Sequence, residues 1–567
     1  MVEVMNEKIL MINIALLSVL FIVAPFHSQA NIGGLGLNLP FNIAAWLAAT
    51  LFISVTIIFS SRLRVLIYSR ALVYCLIFPV VVIIAGFVSE VPQPTVWFFR
   101  QLYILGGFLF LFSLFQLRLS VKQIEQLLYI LVLSTLLHSL VGVAQVFNLT
   151  ELRGWIPIGN KRLPIGVFQQ VNVQASYLVT GLGIILFLIS RPSFNASKIV
   201  TTVLFILTIG MAVYVIISTG SRIGILSLIV MSSLMMLSRK KHLLRHKKIM
   251  LLIALVSVFS VIAGQSGLLR ALDKTEKMTE GEYSSARKTM YAIGVDLVQN
   301  KPLFGYGIGS FPRVWTEQTA IFARDNPQAV LPYTTATHPH NEVLLWMIEG
   351  GLISVASLLV ILIVFCMSLY FCGFSRGVAY LALLLPITLH TQVELPFYIS
   401  SLHWFLWLFL IFIVLRHRTS TIKLKLSQMA KYSIQICTIV VGIGASAMLV
   451  HAEKAQKEIF HYIYIEGGGD IQVALNDLYF NTFAEKLMMQ TVLYSSIKQN
   501  NKTKLPMFID WAEHAIGINP ELGMFILLSD AYGFMGDKSQ QCRVAKRGIS
   551  IYIQNDHLQT IVNNCTK

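Results

Sequence analysis

The sequence predicts an all-α polytopic membrane protein with about 12–13 transmembrane helices, and three observations predict it. Of the 567 residues, 56% are hydrophobic and only 13% are charged, whereas a soluble domain carries about 25% charged residues. The mean hydropathy is +0.70. The charges sit in short clusters between apolar runs of about 20 residues, the length that crosses a bilayer. Lys and Arg number 44 against 27 Asp and Glu, a net charge of +17. On a soluble chain that excess would point to nucleic acid. On this one it fits basic cytoplasmic loops, so nucleic acid is not an expected partner.

Thirteen runs qualify: 9–26, 41–60, 71–88, 97–117, 125–147, 172–190, 199–218, 222–237, 249–265, 343–371, 377–390, 399–415 and 433–451. The first lacks a strong basic flank and more spans follow it, so it is not read as a cleavable signal. The runs are too long for strands and lack the alternation of an outer-membrane barrel. Every even-numbered run is followed by basic residues: Arg62, Arg64 and Arg70; Arg118 and Lys122; Arg191 and Lys198; Arg239 to Lys248; Arg376; and Arg416 to Lys431. This positive-inside pattern places the N-terminus inside and the C-terminus outside. Runs 8 and 11 are the short ones, and the basic cluster at 416–431 pins its segment inside independently of them.

The domains expected are runs 1–9 over 1–265, a large outer loop over 266–342, runs 10–13 over 343–451, and a helical tail over 452–567. A smaller outer loop, 148–171, carries Arg153, Lys161 and Arg162; an anionic ligand and lipid headgroups account for them equally well. Cys75, Cys366, Cys372 and Cys437 lie in or near apolar runs and read as packing residues. Cys542 and Cys565 lie in the outer tail, where an oxidising compartment permits a disulfide, and their pairing is expected. Within the tail, WAEHAIGINPELGMFILLSDAYGFMGD (511–537) has helical spacing with breaks at Asn519-Pro520 and Gly536-Asp537. It looks like one tetratricopeptide-type repeat, and a generic helical hairpin fits as well.

Four constellations at the outer edge carry candidate chemistry. In THPHNEVLLWMIEGG (337–351), His338, His340, Asn341 and Glu342 gather at a helix start, with Glu349 about two turns on. Ionisable residues at the edge of a span are expensive and tend to be functional, and a neutral His can take a proton from a hydroxyl. A metal on His-x-His is disfavoured, since no nearby Cys or paired Asp completes a ligand set. In STGSRIG (218–224), Arg222 is a ligand-binding arginine or a snorkelling one. In YSSARKTMYAIGVDLVQNKPLFGYGIGSF (283–311), Arg287 opens an amphipathic helix; taken alone it reads as a surface arginine. The glycines that follow are no dinucleotide fingerprint, because no strand precedes them. In RLPIGVFQQVNVQASYL (162–178), Gln169, Gln170, Asn172 and Gln174 cluster at the mouth of a span. Buried amides need partners, whether each other, neighbouring helices or a polar ligand. Amides and arginine forks together suit a sugar diphosphate.

HPHNEVLLWMIEGGL, the large loop before it and STGSR resemble the O-antigen ligase/polymerase (WaaL/Wzy) superfamily. Within it, GVFQQVNVQASYL and HTQVELPFY (390–398) are similar to the entry motif and the His…Glu-x-Pro segment of bacterial O-oligosaccharyltransferases, the PglL-type pilin glycosylation enzymes. The resemblance covers about residues 150–400, with a ligase-like core at 266–400 and weaker support from the tail. It implies an undecaprenyl-diphosphate oligosaccharide as donor, a Ser or Thr of an exported protein such as a type IV pilin as acceptor, and no cofactor or metal. His340 matches the family histidine better than His338 does, and Arg222 and Arg287 match the arginines that hold the diphosphate. Gln170, Asn172, Asn341, Glu349 and Glu394 complete the substrate-binding set, with Gln169 standing where the family has Gly. The expected location is the bacterial inner membrane, in contact with its lipid, with the site facing the periplasm. One direct displacement with one base implies inversion at the anomeric carbon.

Two other functions compete. An O-antigen ligase or polymerase would use a sugar hydroxyl as acceptor. A lipid-glycan transporter would carry charges along a mid-membrane path and broken helices in repeated halves, whereas here the ionisable residues gather at the outer edge. A metal-dependent transferase with acidic ligands in its first outer loop is disfavoured, because 27–40 contains no Asp or Glu.

Overall fold

The computed structural model describes residues 7–63, 65–159, 161–195, 198–279, 282–332, 336–418, 422–465 and 468–565. The chain is 79% helical, an all-α polytopic membrane protein. Among the described residues ten helical stretches are long and apolar enough to cross a membrane, counting Arg222–Ala263 as one. The shorter Phe374–His390 and Ser401–Leu415 are also apolar, so each of the thirteen apolar runs carries a helix. The chain divides into two compact units: Met1–Pro79, Leu102–Lys274 and Leu358–Glu466, and Val80–Gln101, Thr275–Ser357 and Gly467–Lys567.

In the first unit, Val171–Ile189 is central. It is buried over 94% of its apolar window, against 6% for Gln428–Tyr464. A helix apolar all round suits such a position. Its neighbours approach closely because small residues line the crossings. A Cβ on Gly181 would stand 2.1 Å from Thr135 Oγ1, and one on Gly224 would stand 2.5 Å from Ala175 Cβ. Buried polar groups are satisfied across helices: Asn42 donates to Ile399 O at 2.8 Å and accepts from Ser401 N at 2.8 Å.

Two ties join distant connections of this unit. Val65–Tyr68 pairs antiparallel with Ile422–Lys425, a ribbon that apolar periodicity did not foresee in segments read as basic loops. At the other end His27 Nε2 meets Glu453 Oε1 at 2.8 Å, and Gln456 donates to Asn38 O at 2.6 Å. Each tie joins segments that the charge bias assigns to one side: the loops after runs 2 and 12, and the loop after run 1 with the end of run 13.

The second unit holds Glu282–Asn300, Phe311–Asp325 and the tail helices. The run expected as one helix over 343–371 is broken at Gly351, with φ 68° and ψ −178°. The glycine-rich turn packs into this break: Tyr306 N donates to Ile348 O at 2.9 Å and Leu352 N to Pro302 O at 2.8 Å. A Cβ on Gly351 would lie 2.1 Å from Leu303 O, so the close approach requires glycine.

The tail folds as consecutive helices: Asn481–Lys498, Leu505–Ile518, Leu522–Met535, Lys538–Ile551 and Asp556–Asn564. The breaks fall at Asn519-Pro520 and Gly536-Asp537, where Asp537 accepts from Gln540 N as a cap. Leu505, Phe508, Phe525, Leu528, Val544 and Leu558 form its buried core. Cys542 and Cys565 are disulfide-bonded, with a Cα separation of 5.9 Å.

Candidate functional site

The outer mouth of Val171–Ile189 is built by its approach segment. Gln145 donates to Gly166 O at 3.1 Å and accepts from Gly166 N at 2.8 Å. Phe168, 1% exposed, stacks on His138 and meets His403 edge-on. The segment is thereby fixed before the helix starts. Gln169 follows with φ 57° and donates to Asn31 Oδ1 at 3.1 Å. Gln170 is the N-cap residue, its Oε1 buried without a partner among the described residues. Gln174 donates to His138 O at 2.8 Å, while its own Oε1 finds no partner among the described residues. Among the described residues, Gln169 and Gln174 thus bond to neighbouring segments and not to each other.

Asn172 opens a longer chain of contacts. Its Nδ2 donates to Glu394 Oε1 at 2.7 Å, and its Oδ1 accepts from Ser221 Oγ at 2.6 Å. The other oxygen of Glu394 meets His390 Nε2 at 2.9 Å. The other ring nitrogen of His390, Nδ1, lies 2.9 Å from the Ser176 hydroxyl, which also donates to Val173 O at 3.2 Å. Ser176 in turn faces His403 Nε2 at 3.2 Å, and His403 Nδ1 meets Ser400 Oγ at 2.9 Å. The chain Ser400–His403–Ser176–His390–Glu394–Asn172–Ser221 is thus continuous. Its histidines are fully buried, while the Glu394 side chain is 17% exposed.

Ser221 also caps the next element. It accepts from Gly224 N at 3.1 Å and starts Arg222–Leu243, whose first residue, Arg222, is half-buried. Gly220, at φ 62°, makes the preceding turn. Arg270, an exposed residue not singled out in the sequence, donates to Ser218 O of the same turn at 2.7 Å. Asn172, Glu394 and Ser221–Arg222, read from three separate motifs, are brought together here. His390, Ser176 and His403 join this network without having been singled out as candidates, although Ser176 lies in the GVFQQVNVQASYL segment and His390 opens HTQVELPFY.

In the second unit, Asn341 Oδ1 accepts from Leu344 N at 2.9 Å and caps Glu342–Phe371. His340 is exposed and sits at φ 50°, in the left-handed region that few non-glycine residues adopt, histidine more readily than most. Its N–H donates to Nδ1 of half-buried His338 at 3.2 Å, and the two rings stand 4.4 Å apart, edge to face. His338 therefore holds the loop that presents His340. Glu342 accepts from Trp346 Nε1 at 3.2 Å. Arg287 lies on Glu282–Asn300, two turns before Gly294, where a Cβ would stand 3.0 Å from Leu344; its side chain falls outside the described residues.

Glu349 is 2% exposed and fully engaged. It is ion-paired with Arg100, and its Oε1 accepts from Gly309 N at 3.0 Å and Phe311 N at 3.2 Å. That geometry makes it an anchor for the glycine-rich turn. Among the described residues no group of three or more His, Cys, Asp or Glu is placed to hold a metal.

Residues 206–359 match the family model described as O-antigen ligase. Residues 378–564 match the one described as the C-terminal region of virulence-factor membrane-bound polymerases. The first match takes in Arg222, Arg287, His338, His340 and Glu349; the second takes in His390, Glu394 and the tail. No curated protein matches the chain.

Proposed function

For a chain that carries an O-antigen ligase domain followed by a membrane-bound polymerase C-terminal domain, as its resemblance to the WaaL/PglL superfamily implies, we propose one reaction. It moves a preassembled glycan en bloc from undecaprenyl diphosphate to Ser or Thr hydroxyls of exported proteins, at the periplasmic face of a bacterial inner membrane. The coarser activity, membrane glycosyl transfer from a lipid-linked donor, is what the two families support. The finer reading rests on one observation: the GVFQQVN and HTQVELP segments, more than 200 residues apart, meet through the Asn172–Glu394 hydrogen bond of 2.7 Å.

In this reading Arg222 and Arg287 bind the diphosphate. Negative charge grows on the leaving phosphate oxygen as its bond to C1 breaks, and guanidinium groups stabilise that developing charge. His340 takes the proton from the acceptor hydroxyl as its oxygen bonds to C1 from the opposite face, which inverts the anomeric centre. Gln169, Gln170, Asn172 and Asn341 serve the glycan hydroxyls. Glu394 orients Asn172, and Glu349 contributes by holding the turn.

The test expresses the chain with a lipid-linked glycan and a candidate pilin, then weighs the pilin. A mass increase of one whole glycan supports the proposal. Unmodified pilin beside glycosylated lipid A core, or beside lengthened glycan chains, would transfer the reading to an O-antigen ligase or polymerase. The descriptions of both matched families favour that as the second reading.

A further inference from the structure

The opposite, basic end of the first unit carries a cluster that glycosyl transfer does not use. Arg239, near the end of Arg222–Leu243, is only 6% exposed, and its Nε and Nη2 are buried with no acceptor among the described residues. Its guanidinium lies 5.5 Å from the Phe187 ring centroid, and that of Arg191 lies 5.9 Å from the same ring. Arg191 and Arg376 act electrostatically on Arg239 with like charge. Beside them Tyr380 Oη meets His417 Nε2 at 2.8 Å, and Arg416, Arg376 and Arg191 all bear on His417. Burial and those three arginines hold the His417 imidazole below its ordinary range. Glu125 is paired with Arg191 at 2.8 Å.

The backbone adds to the same polarity. Phe374–His390 starts here with no side-chain cap, so its first N–H groups and the positive end of its dipole are available to an anion. Ser375 Oγ donates to Ser238 O at 2.7 Å, which ties that helix start to the residue preceding Arg239. A buried guanidinium without an acceptor is costly. Like charges gathered around it raise the cost, and one anion with several oxygens removes both penalties.

We propose that Arg239, Arg376 and the first turn of Phe374–His390 form a phosphate-binding site at the basic end of the bundle, distinct from the glycan-transfer site. Phosphate supplies oxygens for a guanidinium fork and suits an uncapped helix start. The phosphodiester of an anionic lipid headgroup and free inorganic phosphate share this chemistry.

The test uses the full-length protein in detergent, with lipid retention read by native mass spectrometry. The probes are phosphatidylglycerol, phosphatidylcholine and inorganic phosphate; melting is followed in parallel. Arg239→Gln and Arg376→Gln should retain phosphatidylglycerol about tenfold less than the wild type, the scale of one lost charge-assisted hydrogen bond. Arg245→Gln, the same charge change on an exposed residue outside the cluster, should retain it normally. Stabilisation by inorganic phosphate with no lipid retention, lost in the same two variants, would identify the free anion as occupant and support the site. Should Arg239→Gln fail to fold, exposed Arg376 alone carries the comparison. Equal behaviour of Arg376→Gln and Arg245→Gln toward every probe overturns the proposal.

Discussion

At the scale of single residues, the two histidines of HPHN have different surroundings. His340 is exposed on a left-handed backbone, while His338 lends its Nδ1 to the His340 N–H. His340→Ala is expected to cut transfer by about 10²–10⁴, the usual contribution of a general base, while donor binding stays near normal. His338→Ala should lose less, because its part is to hold the loop. Transfer assays at matched protein levels check the order, and the reverse ranking would move the base to His338. Arg222→Lys should recover only part of the activity, since an ammonium lacks the planar fork. Glu349→Ala belongs to a different class. It removes the carboxylate that pairs with Arg100 and accepts from two backbone N–H groups in a buried place, and a broken buried pair costs about 3–5 kcal/mol. The expected result is poor accumulation and early melting, not selective loss of turnover.

Among the elements, the broken helix and the tail carry the next expectations. Gly307 sits at φ 93°, and a Cβ there would stand 1.8 Å from Glu90 O. Gly307→Ala should therefore loosen the turn that fills the break at Gly351, seen as faster proteolysis within 301–311. In the tail, the Cys542–Cys565 bond closes a separation of 23 residues. Its removal by Cys542→Ser with Cys565→Ser should lower tail stability by about 3 kcal/mol on the chain-entropy account, measured by proteolysis with and without reductant. Unchanged resistance would mean that the core around Phe508 and Phe525 suffices. The tail helices and their breaks were readable because caps, Pro and Gly are local signals. The break at Gly351 was not, since its cause is a loop some 45 residues earlier in the chain, invisible to any sequence window.

For the whole molecule, the count and order of spans came from apolar length and charge bias, both of which survive averaging over a sequence. Reading the amides of 169–174 as site residues needed only their cost of burial. Their partners did not follow from it: Glu394, Ser221 and Asn31 are tertiary neighbours, and no periodicity points to them. The same holds for Arg239, which reads in sequence as one more basic loop residue and in the fold as a buried cation. The two ties of the first unit give topology a direct test. With His27 against Glu453, the first loop and the end of the last span share a side. A cytoplasm-only reporter fused after residue 460 should be silent, as should one fused in the 27–38 loop. Activity at one and silence at the other would break that pairing.

The ribbon between Val65–Tyr68 and Ile422–Lys425 also says something about time. Its strands lie roughly 360 residues apart in the chain. At a synthesis rate of about 5–20 residues per second, the first strand waits on the order of 20–70 s for its partner. During that interval the early spans are inserted with this connection still open. The ribbon can close only after twelve of the thirteen apolar helices have left the ribosome. Its formation thus marks near-completion of the bundle, and a chain truncated before residue 422 lacks the strand that pairs 65–68, leaving that segment an open edge.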